Sequence, residues 1–208
     1  MKLSRILILA ILLLANISVF GDKLAHLRTA RKIITVNEIK APYYTIQIVA
    51  LQLPPGNPDF FKNVDTIREF ACTDGFVRYT VGEYTTFGEA AHELDRIRQM
   101  GYADAFVLNT RKITLRTNDY SKPAGDFVPV PGVSYTIQLA AFRFPVYVSH
   151  FEGFDNVQEY FMKDRIYRYC VGSFQGEAAL NELSRVKQSG YPDAFLVPLS
   201  QYLPYKIE

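Results

Sequence analysis

Tryptophan is absent from this 208-residue chain, and cysteine and histidine are scarce, at two and three residues. Two cysteines are too few for a disulfide-stapled scaffold. The histidines, His26, His92 and His150, form no metal-ligand spacing with either cysteine, so no metal and no cofactor is expected. An excess charge of one sign is also missing. Residues 1–21 carry two basic and no acidic residues, so the rest of the chain holds 21 Lys and Arg against 21 Asp and Glu. That balance speaks against nucleic acid and other polyanions bound by a broad basic surface; a neutral or weakly charged ligand suits it better.

What is present first is an address. Lys2 and Arg5 precede an unbroken apolar run over residues 6–15, and Val19 and Gly21 suit small-residue cleavage. This is the pattern of a secretory signal over residues 1–21. The run is either cleaved or kept as a short membrane anchor, and in both cases the body is exported, with the periplasm as the expected location.

The body repeats itself. Arg78-Tyr79-Thr80-Val81-Gly82 returns as Arg168-Tyr169-Cys170-Val171-Gly172, an offset of 168 − 78 = 90. Tyr44-Thr45-Ile46-Gln47-Ile48 returns as Tyr135-Thr136-Ile137-Gln138-Leu139, and Gly101-Tyr102-Ala103-Asp104-Ala105-Phe106 as Gly190-Tyr191-Pro192-Asp193-Ala194-Phe195. Self-similarity at a fixed period marks a duplicated unit. The expected division is a linker at 22–42, repeat 1 at 43–110, a Pro/Gly-containing linker at 111–133, repeat 2 at 134–200 and a tail at 201–208. Cys72 and Cys170 occupy non-equivalent places, so they are either one inter-repeat bridge or two separate thiols.

Within repeat 1, residues 43–50 alternate as a strand and Phe61, Val64 and Ile67 recur every third residue as a short helical turn. Thr73-Asp74-Gly75 joins two β-rich runs as a hairpin. Residues 86–100 carry an apolar stripe at helical spacing, closed by Gly101, and a last strand comes after it. Repeat 2 matches in order, with residues 176–189 as its helix and Lys163-Asp164-Arg165 at the hairpin.

These blocks resemble the SPOR (sporulation-related repeat) family of bacterial envelope proteins. They are an opening aromatic-x-Ile-Gln-aliphatic strand, a central Arg-Tyr-x-Val-Gly strand, an Ala-containing helix and a closing Gly-Tyr-x-Asp-Ala-Phe strand, all found twice. The resemblance implies an α+β fold of two tandem RNP-like (ferredoxin-like) modules, each a four-stranded antiparallel sheet with one main helix and a truncated first helix. It also implies that the open sheet faces bind peptidoglycan glycan strands lacking stem peptides.

Strand parity turns Tyr79, Val81, Tyr169 and Val171 to the core and names the residues expected on the open faces: Gln47, Phe76, Arg78 and Phe106 in repeat 1, and Gln138, Ile166, Arg168 and Phe195 in repeat 2. An amide suits sugar hydroxyls and acetamido groups, although a mid-strand Gln is equally a solvated sheet position. Arg78 and Arg168 either meet a sugar carboxylate or form cross-strand salt bridges with Glu69 or Glu159. Phe106 and Phe195 either stack on sugar in place of tryptophan or seal the core edge.

Catalysis finds no constellation. Ser184-Arg185-Val186-Lys187 has a Ser-x-x-Lys form, but Asp95 and Arg98 stand at the matching places of repeat 1, as on a surface helix. The chain therefore reads as a non-enzymatic envelope protein. The rival reading is a periplasmic scaffold for a cell-division or other envelope protein, without glycan binding.

Overall fold

The computed structural model describes residues 22, 24–116 and 127–207; the signal segment read at 1–21 lies outside them. Nine strands run in chain order as β1 (Lys32–Thr35), β2 (Tyr44–Leu51), β3 (Thr66–Ala71), β4 (Val77–Tyr84), β5 (Phe106–Asn109), β6 (Ser134–Phe142), β7 (Val157–Phe161), β8 (Tyr167–Gln175) and β9 (Phe195–Pro198). The α-helices are α1 (Phe87–Gln99), α2 (Gly176–Gln188) and the single turn α3 (Leu199–Tyr202). Among the described residues no helix is long and apolar enough to cross a membrane.

All nine strands belong to one mixed sheet, in the order β5-β2-β4-β3-β1-β6-β8-β7, with β9 also paired to β6. This overturns the expected pair of tandem RNP-like (ferredoxin-like) modules. The join is β1, which lies in the stretch read as a linker. It pairs in parallel with β3, Lys32↔Thr66 through Thr35↔Glu69, and meets β6 antiparallel at Ile34↔Phe142. Edge strands invite pairing, and here β1 pairs with the exposed edge of β3.

The cores cross the same boundary. Ile33 is buried in the first core, and Phe144, just beyond β6, packs against that core as well. Leu24 and Ile34 pack against the second. Each half thus completes the other's interior.

Local chemistry explains the repeated motifs. In the Arg-Tyr-x-Val-Gly strand the glycine is required twice over. Gly82 and Gly172 hold φ of 72° and 68°, and a Cβ there would meet the Tyr84 hydroxyl at 2.4 Å or the Phe174 ring at 2.2 Å. Only a residue without a side chain allows both the left-handed backbone and the ring lying across it. Helix α1 opens with a capping box between Thr86 and Glu89. At the hairpins, Asp74 accepts from the Phe76 N–H and Asp164 from the Ile166 N–H, at 3.1 and 3.2 Å. Where repeat 2 lacks the hairpin glycine, Arg165 takes up φ of 63°. The truncated first helix is one 3-10 turn in each half, Pro58–Phe60 and Val148–His150.

Candidate functional site

Two sets of polar groups need placing: those buried in the cores, and those on the sheet face expected to be open. In the cores, the register sets Glu69 opposite Tyr79 and Glu159 opposite Tyr169. Each carboxylate therefore shares the core face with the motif's tyrosine, and the Arg of the motif projects the other way. Glu69 and Glu159 are both 0% exposed. Tyr79 donates to Glu69 Oε2 at 2.9 Å, and Tyr169 to Glu159 Oε1 at 2.5 Å. Burial, with the adjoining carboxylate second, pushes both phenols well above their ordinary range.

The cation for each carboxylate comes from a distant part of the chain. Arg143, just after β6, grips Glu69 through Nε–Oε2 at 3.0 Å and Nη2–Oε1 at 2.6 Å. Arg28, ahead of β1, reaches Glu159 through Nη1–Oε1 at 3.3 Å and Nη2–Oε2 at 3.0 Å, and also pairs with Asp22. Repeat matching misses both arginines, because neither stands in one of the duplicated blocks. Fork-to-fork pairing of guanidinium with carboxylate is what lets such charges be buried. These clusters are structural.

On the opposite face, the expected binding residues divide by half. Phe76 and Phe106 are 38% and 45% exposed, Arg78 is partly exposed, and Gln47 keeps an intermediate position with its Oε1 buried and unpartnered. The equivalent residues of repeat 2, Gln138, Ile166, Arg168 and Phe195, are all buried. The expectation of two open faces is corrected here. In repeat 2 the stretch read as a tail returns over the sheet: Tyr202 is fully buried beside Tyr160, Cys170 and Phe195, and its hydroxyl donates to Gln138 Oε1 at 2.7 Å. The chain then bridges β7 at Tyr160↔Lys206. In repeat 1, Ile113 and Leu115 of the linker, with Val36 and Ile39, cover Phe70 and Cys72, while the rim at Phe76 and Phe106 stays exposed. Cys72 and Cys170 are separate buried thiols, and burial raises the pKa of each.

The cross-strand salt bridges expected of the motif arginines with Glu69 or Glu159 are not formed, since those carboxylates face the core and are held by Arg143 and Arg28. The motif arginines bend back to the hairpin: Arg78 contacts Asp74 at 3.0 and 2.5 Å, and Arg168 contacts Asp164 at 2.9 and 2.6 Å. Arg78 holds the Asp74 carboxyl down at about 2. The same pair is solvated in one half and sealed in the other, where Arg168 is 0% exposed. Arg168→Ala is therefore expected to lower stability by about 2 kcal/mol, the scale of a charged hydrogen bond lost in the interior. Arg78→Ala should leave the urea midpoint within experimental error. Equal losses in urea melts of the two variants would contradict this assignment.

A cavity that sequence reading missed lies at the seam of the two halves. Its volume is about 260 Å³, and its walls are β1 with the turn after it (Ile34, Thr35, Val36, Asn37, Glu38, Lys40), the end of β6 (Gln138 to Phe142), Arg68 of β3 and the Gly190-Tyr191-Pro192-Asp193 loop with Phe195. Lys40 and Asp193 form an ion pair at its mouth. The groove exists because β1 and β9 approach one edge of β6 from opposite ends without meeting. β9 pairs with Tyr135 through Gln138, and β1 pairs only at Phe142. Gln138 and Phe195, both expected as ligand contacts, contribute to this wall. Among the described residues no group of three or more His, Cys, Asp or Glu is placed to hold a metal ion. Compared with family models, with curated proteins and with solved structures, the chain has no match.

Proposed function

We propose that this is an exported, non-enzymatic protein of the bacterial envelope that binds peptidoglycan glycan strands, and that it receives the glycan in the seam groove rather than on open sheet faces. The observation that carries this reading is the groove itself. It gathers a side-chain amide (Asn37), aromatic rings (Tyr191, Phe195) and a compensated pair of charges (Lys40, Asp193) around one concave surface. Neutral hydrogen-bonding groups set among apolar walls are what a sugar requires. The charge balance of the body and the resemblance of its repeated blocks to SPOR sequences support the same ligand class. Purified protein should pellet with sacculi, and more strongly after amidase has removed the stem peptides. No enrichment in either pellet would end the glycan reading.

A protein partner is the second reading, favoured by one feature. β5 ends the sheet order, and Phe106 on it and Phe87 beside it are 45% and 58% exposed. Retention of a stoichiometric envelope protein after glycan digestion would favour this edge over the groove.

A further inference from the structure

The two halves finish their first long strand differently. In the second half, Phe142-Arg143-Phe144 closes the end of β6 against the rest of the molecule. β1 meets it antiparallel at Ile34↔Phe142, the Arg143 N–H donates to Ile33 O at 3.0 Å, and Phe144 packs against the first core. The matching residues of the first half, at the offset 135 − 44 = 91, are Leu51, Gln52 and Leu53. There β5 pairs only with Tyr44 through Gln47, and among the described residues no strand pairs with Ile48 through Leu51 on the edge away from β4. Gln52 is exposed, and Leu53, the counterpart of Phe144, is 79% exposed. At the other end of the sheet, β7 is bridged by the chain's own tail at Tyr160↔Lys206. An unpaired strand edge is a template for another strand.

We infer that the end of β2 pairs with the same edge of a second copy of this chain, antiparallel about a two-fold axis, with Leu51 opposite Leu51 of the second copy. β1 on β6 is the internal template, for it too runs antiparallel to its neighbour and is bonded on the flanks of one bridge. In the dimer the Gln52 N–H donates to Ala50 O of the second copy, as Arg143 does to Ile33, and the axis repeats the bond in reverse. Val49, Leu51 and Leu53 share a face by alternation, so Leu53 lies against Val49 of the second copy on each side of the axis, in apolar cross-strand pairs. Charge selects a copy of the chain as the occupant. Residues 41–58 contain no charged side chain, so no like charges meet when the edge faces itself, whereas edges kept single are commonly guarded by Lys or another charge. Pro54 and Pro55 stop the ladder, since proline has no N–H to donate. The contact is short and therefore weak, and it closes at two chains because both contribute the same patch.

The dimer does not depend on what the seam groove binds. Sedimentation velocity of the full body of the protein should give the mass of one chain at about 1 μM and of two chains at several hundred μM, roughly the range of a weak, short interface. Leu53→Lys places a charge on the edge and should sediment as one chain throughout, with an unchanged melting temperature in dilute solution. Under mild oxidation Leu51→Cys should form a disulfide-linked dimer, because a non-hydrogen-bonded antiparallel pair stands about 4.5 Å apart at Cα. Leu53→Cys, more exposed but about 14 Å from its counterpart in this register, should not. Cys72 and Cys170 are buried and do not compete. A single-chain mass for the parent at every concentration, a dimer unmoved by Leu53→Lys, or faster cross-linking of Leu53→Cys than of Leu51→Cys would overturn the inference. The cross-linking comparison holds even if the lysine variant misfolds. Masses beyond two chains would overturn it as well, since a two-fold pairing closes. So would a parent that stays single while a peptide copy of residues 31–36, the β1 segment, shifts the amide resonances of residues 48–52, a result that assigns the edge to a partner's strand.

Discussion

Arg28→Ala is expected to destabilise the protein by about 3–5 kcal/mol, although it alters a residue ahead of the first strand. The reason is what it leaves behind. Glu159 is fully buried, and Arg28 supplies two of its hydrogen bonds from 131 residues away in sequence. Removing one partner of a buried ion pair strands the other charge in a medium that solvates it poorly. Against a total stability of about 5–15 kcal/mol for a typical domain, that loss is a large share. The double variant Arg28→Ala with Glu159→Leu should recover much of it, since apolar replacement of both partners is often close to neutral. Urea denaturation of the parent and the two variants decides the matter. A single-variant loss below about 1 kcal/mol would mean that Glu159 finds water or another donor, and that the clasp between the halves is weaker than its geometry suggests.

The paired clasp also explains why a duplicated sequence builds one sheet. Arg28 and Ile34 come from the N-terminal stretch and serve the second half; Arg143 and Phe144 come from the second half and serve the first. Each repeat contains the carboxylate and the tyrosine of its cluster but lacks the cation. A lone repeat would bury an unpaired charge, which proteins avoid. The halves are therefore bound by electrostatic need as well as by strand pairing at the seam.

Much of the interior was legible from residue order alone, and the reasons are local. Period-two alternation marked β2 and β6, helical spacing marked α1 and α2, and the parity of Arg-Tyr-x-Val-Gly assigned Tyr79, Val81, Tyr169 and Val171 to the core, where all four are buried. β1 was not legible. Four residues, Lys32-Ile33-Ile34-Thr35, among basic neighbours give too short a pattern to tell a strand from a linker, and its partners are supplied by tertiary structure. The covering of the far face was hidden for a different reason. Ile113 and Tyr202 lie at matching places, since 202 − 113 = 89 equals the offset 190 − 101 of the closing glycines, yet they share no residue type. Extending the comparison by apolar character rather than identity past the last strand would have shown both segments returning to the sheet. The seam groove had no sequence signal, because a gap between two strand ends is set by where β1 and β9 stop.

Tyr169→Ala should have the largest effect of any single truncation in the second half. The ring is fully buried between Phe142 and Phe151, with centroids at 5.6 and 4.9 Å. Loss of such a ring costs about 3–5 kcal/mol in transfer and cavity terms. The hydroxyl adds to this, for it donates to Glu159 and accepts from the Val146 N–H at 2.8 Å. Tyr169→Phe separates the parts: it keeps the ring and should cost about 1–3 kcal/mol for the polar groups left short of a partner. Alkaline titration provides a second readout. The folded-state pKa of Tyr169 is raised above its unfolded value, so its contribution to stability is whole below about pH 10 and falls as pH rises beyond it. Stability of the parent protein should therefore decline above about pH 10, and Tyr169→Phe should decline less steeply over the same window. Should the phenylalanine variant match the parent in both midpoint and alkaline slope, the hydroxyl would be an idle passenger, and Glu159 would be held by Arg28 alone.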